Sequence, residues 1–126
     1  MFDLNLCEAQ HLFSKKGASG AARLANMMVP SSLEGFIKGG GATIDAARES
    51  LAWVLNSGAE EAPNGEPLST SLEETELSAP VLADSKIICL GDTYESHLTV
   101  RGSPVPEHFG LFYKMTQVVV GPDEFV

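Results

Sequence analysis

The spacing of apolar residues predicts two helices in the first half of the chain. In residues 30–40, Leu33, Phe36 and Ile37 recur at helical intervals, and the three glycines that follow mark a stop. In residues 43–57 the same periodicity is longer and forms one apolar stripe: Ile44, Ala47, Leu51, Val54 and Leu55. Polar residues take the opposite face, which is typical of a helix packed on one side. We therefore expect a short helix followed by a longer amphipathic one.

The first 26 residues carry weaker signals. Residues 1–13 mix apolar and polar positions without a clean period, which fits either a strand followed by a turn or a short helix. Gly17 and Gly20 have a spacing found in phosphate-binding loops, but the Gly-Lys-Ser/Thr ending of such a loop is missing. We therefore expect a flexible loop that leads into a short helix over residues 14–26. His11 is expected to be an ordinary surface or half-buried histidine.

A different pattern governs the last third of the chain. Residues 86–90 form a short apolar run with β-branched members that ends at Gly91, and this predicts a strand buried on both faces. Two more short runs, residues 111–114 and 117–120, predict two further strands. Three short strands are few for an independent sheet, so we expect partners or further polypeptide to complete it.

The stretch between the helices and the strands is acidic and rich in helix breakers. Residues 60–84 contain seven of the seventeen acidic residues and no Lys or Arg, and three prolines interrupt regular structure. We predict a solvated connection here. The chain then divides into a helical N-terminal region over residues 1–58, an acidic linker over residues 59–84 and the start of a β-rich domain over residues 85–126.

Composition restricts the partners. The net charge of −9 would repel phosphates, which argues against nucleic acid and anionic membranes. No apolar run approaches the ~20 residues that a membrane span needs, and the N-terminus lacks the features of a signal peptide. The two cysteines, Cys7 and Cys89, do not make a disulfide framework, and Cys7 is expected to be a small buried apolar residue. We expect a cytoplasmic protein.

The stretch from Lys86 to Pro122 carries the candidate chemistry. It contains, in this order, the patterns Lys-Ile-Ile-Cys-x-Gly-x-x-Tyr-x-x-His, Pro-x-Pro, Leu-Phe-x-Lys and Val-x-Gly-Pro. In these motifs the chain resembles the fumarylacetoacetate hydrolase family. The resemblance implies an α+β fold, in which a small helical N-terminal region precedes the first strands of a mixed β-roll that is truncated in this chain.

The resemblance also implies an activity and site residues. The family acts on 2-oxo and 1,3-dicarbonyl acids by C–C bond hydrolysis, decarboxylation, hydration or isomerisation, with a divalent ion, usually Mg²⁺, held by carboxylates. Carried over to this sequence, His97 would be the catalytic base, with Tyr94 as part of its loop. Lys114 would help to neutralise the charge of the substrate. The metal ligands, including a Glu-x-Glu pattern, are expected outside this chain.

Three positions depart from the family pattern. Thr93 stands where Asn is usual, Met115 where Pro is common, and Val100 where some branches carry a Glu that pairs with the histidine. The leading expectation is an N-terminal part of an enzyme, inactive alone and completed by a homodimer or by a C-terminal half. The alternative is a non-catalytic binding or oligomerisation module derived from the fold. A third interpretation is a helical–β domain with chance motif similarity. For His97 by itself, the alternative is a loop histidine with no role.

Overall fold

The computed structural model describes residues 1–17, 19–80, 85–122 and 124. Its elements in chain order are α1 (Leu4–Lys16), α2 (Ala21–Met28), α3 (Leu33–Ser57), β1 (Ile87–Gly91), α4 (Glu95–Arg101), β2 (Gly110–Lys114) and a 3₁₀ turn (Thr116–Val118). They fall into two compact units, Met1–Glu76 and Leu77–Val126. The helices α1 to α3 belong to the first unit, and β1, α4 and β2 to the second. The predicted α+β class is confirmed.

Residues 1–13 were predicted to form either a strand followed by a turn or a short helix, and the structure shows the helix α1. The carboxylate of Asp3 accepts a hydrogen bond from the amide of Leu6 at 2.9 Å, which satisfies one of the free N–H groups of the first turn. The segment is therefore a helix. The short helix predicted next is confirmed by α2, which begins after Gly20. The loop predicted from residue 14 begins later than expected, because α1 continues to Lys16.

The two helices predicted over residues 30–57 are joined into α3. Gly40 has φ 60° and ψ −143°, a conformation outside the helical region that glycine adopts without steric cost. The expected stop is therefore a kink, and the helix resumes beyond it. Gly39 is required for a different reason, because a Cβ atom there would lie 1.9 Å from the Oγ1 atom of Thr43.

The core of the first unit includes residues from the segment that follows α3. One buried cluster is made of Cys7, Val54, Ala62 and Leu68, and a second of Ala9, Leu12, Ala21 and Ala25. Burial, with a smaller contribution from the nearby Asp3 charge, raises the pKa of the Cys7 thiol to about 11. Cys7 is therefore a protonated, buried residue, as expected.

The beginning of the predicted linker is packed rather than solvated. Ala62 and Leu68 are buried, the Leu68 amide donates to the carbonyl of Glu60 at 2.9 Å, and the Leu68 carbonyl accepts from the Asp3 amide at 3.0 Å. The acidic side chains nearby point to water, while two apolar residues reach the core. The division of the chain into three parts stays a prediction.

The substitution Leu68→Ala tests this packing. Leu68 is 1% exposed, so we expect its truncation to lower the free energy of unfolding by about 2–5 kcal/mol, through lost apolar burial and the cavity left behind. Urea unfolding followed by circular dichroism measures the change. The matched control is Leu72→Ala, at a leucine that is 64% exposed, for which we expect less than about 0.5 kcal/mol. Equal costs would show that Leu68 does not anchor the segment.

The second unit contains an antiparallel pair of strands. β1 and β2 confirm two of the three predicted strands, with Ile87 opposite Lys114 and Gly91 opposite Gly110. The third strand, predicted over residues 117–120, is wrong. The amide of Val118 donates to the Met115 carbonyl at 3.2 Å, and this local bond belongs to a 3₁₀ turn rather than to a ladder.

The prediction that β1 is buried on both faces is also wrong. Four large side chains share one face of the sheet and are exposed over half or more of their surface: Ile88, Leu90, Leu111 and Tyr113. The unbroken apolar run at residues 86–90 predicted burial of β1. Within the described residues, however, the sheet has two strands, and this face of it is exposed. A two-stranded sheet of this kind is only marginally stable by itself.

Candidate functional site

The candidate site is built on the turn and the helix that follow β1. Asp92 has φ 53°, a left-handed conformation that Asp tolerates better than most residues. The chain then enters α4 with Tyr94 as its N-cap residue, and Leu98, which is 3% exposed, anchors the helix. His97 therefore lies on a helix and not in a loop, because the turn at Asp92 ends early enough for α4 to begin at Glu95.

The two predicted catalytic residues lie close together in the chain at the start of α4. His97 and Arg101 are four residues apart in α4, the spacing of neighbours on one helix face, with Cβ atoms about 5–6 Å apart. Tyr94 comes three residues before His97, with an extended backbone just outside the helix. The His97 amide donates to the Tyr94 carbonyl at 3.1 Å. Both side chains are exposed, so a solute can reach the phenol and the imidazole from water.

The predicted substrate-binding residue lies at the other end of the sheet. Lys114 is opposite Ile87, where β1 begins, whereas the turn to α4 leaves from Gly91, where β1 ends. Four residues of strand, about 13 Å, separate the two ends. The roles assigned to His97, Tyr94 and Lys114 stay predictions. His97 and Tyr94 are linked by a backbone hydrogen bond, whereas Lys114 lies at the opposite end of the strands.

Two charged residues of this site were missed from the sequence. The guanidinium Nη1 atom of Arg101 lies 3.5 Å from the Oδ1 atom of Asp92, in an ion pair that is about half exposed. Arg101 is followed by Gly102 with φ 66°, and a basic residue before glycine is typical of a helix end. That signal could have revealed α4 and with it the neighbourhood of His97 and Arg101. Val100, where the resemblance led us to look for Glu, is 89% exposed.

The described residues do not form a metal site. Within residues 1–17, 19–80, 85–122 and 124, no group of three His, Cys, Asp or Glu side chains could hold a metal ion. Magnesium prefers several oxygen ligands around one point, so this part of the chain does not fit a resident ion. In the same described part, no helix is both long and apolar enough to cross a membrane.

A second polar cluster lies in the first unit, between α1 and α3. The Nδ1 atom of His11 is 3.5 Å from Glu8 Oε2, its Nε2 atom is 3.7 Å from Glu49 Oε1, and its ring centroid is 5.5 Å from that of Trp53. Lys15 donates to Glu49 at 3.0 Å, and this hydrogen bond is the main reason that the pKa of the Glu49 carboxyl is lowered. His11 is buried, so the surface or half-buried position expected for it is wrong; the nearby carboxylates compensate its polarity.

Comparison with known proteins agrees with the motifs. The chain is 32% identical over 120 residues to the human protein named oxaloacetate tautomerase FAHD2A, mitochondrial, in a match that covers 92% of this chain and 34% of that protein. It is 30% identical over 115 residues to the Bos taurus protein of the same name, covering 89% of this chain and 33% of that protein. It is 31% identical over 120 residues to fumarylacetoacetate hydrolase domain-containing protein 2 of Pongo abelii, covering 92% of this chain and 34% of that protein.

These similarities define the class of protein. The chain belongs to the fumarylacetoacetate hydrolase family. It spans about a third of the length of the curated relatives it matches. No family model matches the chain, and no solved structure does.

Proposed function

We propose that this chain supplies the histidine-bearing part of a fumarylacetoacetate hydrolase-type enzyme that tautomerises a 2-oxo acid such as oxaloacetate. One observation carries the proposal: an exposed His97 stands on α4 directly after β1, in a chain that matches proteins named oxaloacetate tautomerase over about nine-tenths of its length. An exposed histidine beside the end of a strand is a suitable place for proton transfer.

The chemistry requires a proton to move between oxygen and carbon. In the enol form, the oxygen on C2 loses its proton, the double bond shifts from C2–C3 to C2–O, and C3 gains a proton. An imidazole suits both steps because its pKa lies near neutrality, so it can accept the first proton and donate the second. In this proposal His97 carries the proton, and the Tyr94 hydroxyl donates a hydrogen bond to the substrate oxygen.

Other parts of the proposal depend on polypeptide outside the described residues. Magnesium enters it only through ligands elsewhere, since the described residues contain no group that could hold the ion, and no step above passes through it. The exposed face of the sheet fits completion by a second subunit or by the further polypeptide that the relatives possess. Lys114 stays a proposed contact for a substrate carboxylate. The cytoplasmic location also stays a prediction, while two of the relatives carry the word mitochondrial in their names.

A chimera tests the proposal. The matched 120 residues of the human relative are replaced by the corresponding residues of this chain, and the conversion of enol-oxaloacetate is followed by its ultraviolet absorbance. We expect the chimera to convert the enol faster than buffer does, and we expect the 126-residue chain alone to be inactive. The intact relative is the positive control.

The alternative function is a non-catalytic module for binding or oligomerisation. The exposed Val100, where a pairing Glu is expected, and the apolar face of the sheet favour it. A chimera that folds and assembles like the relative but does not accelerate conversion would support this alternative and contradict the proposal.

A further inference from the structure

Arg101 lies beside His97 on α4, and we propose that it binds the carboxylate of the 2-oxo acid in exchange for Asp92, which occupies it in the free chain. The inference rests on the proposed function and adds a specificity residue that the motifs do not contain. Asp92 then acts as an internal competitor: its carboxylate takes the position that the substrate carboxylate needs.

The geometry places the cation next to the proposed base. His97 and Arg101 are four residues apart on one helix, which puts their side chains over the same surface. The Arg101 guanidinium already contacts a carboxylate, at 3.5 Å, so this surface can hold the functional group in question. Lys114, the earlier candidate, lies at the far end of the sheet.

The chemistry favours arginine for this task. Arg101 is the single arginine within residues 77–126 of the sequence. Its planar guanidinium can donate two parallel hydrogen bonds to one carboxylate, which fixes both the position and the orientation of an acid. A 2-oxo acid held in this way by its carboxylate would present its carbonyl and its C3 atom near the helix face that carries His97.

The exchange with Asp92 costs little. Both partners of the ion pair are about half exposed, and such surface pairs contribute little to stability. Asp92 follows β1 with a left-handed backbone, which restricts the directions from which its carboxylate can approach Arg101. One contact is made, between Arg101 Nη1 and Asp92 Oδ1. The carboxylate of a free 2-oxo acid has no such restriction, so it can align with the guanidinium and accept two parallel hydrogen bonds.

Three variants of the 126-residue chain test the proposal, with oxalate as the probe. Binding is followed by NMR, through the Nε–H signals of arginine and the ring signals of His97. We expect Asp92→Asn to tighten oxalate binding by up to about fivefold, the limit set by a surface ion pair. We expect Arg101→Gln to weaken it by about tenfold or more, and Arg101→Lys to fall between Arg101→Gln and the unaltered chain.

The controls come from a similar pair in the first unit. Arg48 Nη1 lies 3.8 Å from Asp45 Oδ1 on α3, and both side chains are well exposed. Asp45→Asn and Arg48→Gln remove the same charges within the first unit, so oxalate affinity should stay unchanged. Asn also tolerates the left-handed backbone of residue 92. Misfolding would weaken binding in Asp92→Asn and in Arg101→Gln alike, whereas the proposal requires these two variants to change oxalate affinity in opposite directions.

The outcomes separate this inference from the proposed function. The inference is overturned if Arg101→Gln binds oxalate as tightly as the unaltered chain, if Asp92→Asn weakens binding, or if saturable binding is absent. If that happens while the chimera is active, the proposed function stands without this residue. If oxalate binding follows the expected order while the chimera is inactive, Arg101 is a carboxylate site in a module that does not tautomerise.

Discussion

In the active chimera, His97→Gln is expected to slow the conversion of enol-oxaloacetate by about 10²–10⁴-fold, the usual contribution of a positioned acid–base group. Gln keeps a polar side chain of similar reach but cannot exchange a proton near neutral pH. Since His97 is exposed and lies on the surface of α4, its replacement should leave the fold intact. The loss should appear mainly in kcat, because the proton moves only after the substrate is bound.

His108→Gln in the same chimera is the matched control. His108 is also exposed in the second unit, and it lies in the turn before β2, outside the helix α4 that carries His97. We expect the rate to change by less than about twofold, as for a surface substitution away from the chemistry. If His97→Gln retains the full rate, or if both variants lose activity equally, His97 is not the group that moves the proton.

The elements with a strong apolar period were predictable from the sequence. The stripe from Ile44 to Leu55 identified the second half of α3, because a long amphipathic pattern has one favoured structure. The short runs at β1 and β2 were also identified, since β-branched and aromatic residues bounded by glycine favour strands. The burial of these strands was not predictable, because it depends on neighbouring elements that a local sequence pattern does not identify. The exposed Ile88 and Leu90 show this.

The failures have identifiable causes. α4 was missed because its seven residues are too few for an apolar period, and its one buried side chain, Leu98, gives no repeat. The run at residues 117–120 looked like a strand from its valines, yet the described residues offer it no partner strand. Leu68 was assigned to a solvated linker because acidic neighbours dominate the composition there. In each case the structure depended on whether a tertiary partner is present, which the local sequence does not specify.

The candidate site divides in the same way. His97 and Tyr94 were proposed from a motif, and the structure places His97 on α4 and Tyr94 at the N-cap of that helix. Asp92 and Arg101 were not found, because their ion pair exists only after the chain turns at Asp92 and forms a helix. Sequence spacing can identify residues that act together within one helix or strand. A pair such as Asp92 and Arg101, which meets across a turn between two elements, can be identified only once the fold is known.

The buried pair of Glu8 and His11 gives the largest expected effect on stability. Glu8 is 1% exposed, and its Oε2 atom lies 3.5 Å from the Nδ1 atom of His11. His11→Leu leaves the Glu8 carboxyl buried without this partner, so we expect the free energy of unfolding to fall by about 3–5 kcal/mol. A domain of this size has about 5–15 kcal/mol in total, so the loss would remove a large part of its stability. Urea unfolding at pH 7 measures the loss.

The double variant distinguishes a lost partner from lost packing. In Glu8→Leu/His11→Leu both polar groups are replaced by apolar ones. We expect the free energy of unfolding of this variant to be about 2 kcal/mol or more above that of His11→Leu alone. The reason is that a buried pair can be exchanged for apolar residues at little cost. Lys15→Met, which removes only the exposed contact to Glu49, should cost less than about 1 kcal/mol. Additive costs in the double variant would mean that the two residues are not coupled. The loss in His11→Leu would then come from the packing of the ring against Trp53, which leucine cannot reproduce.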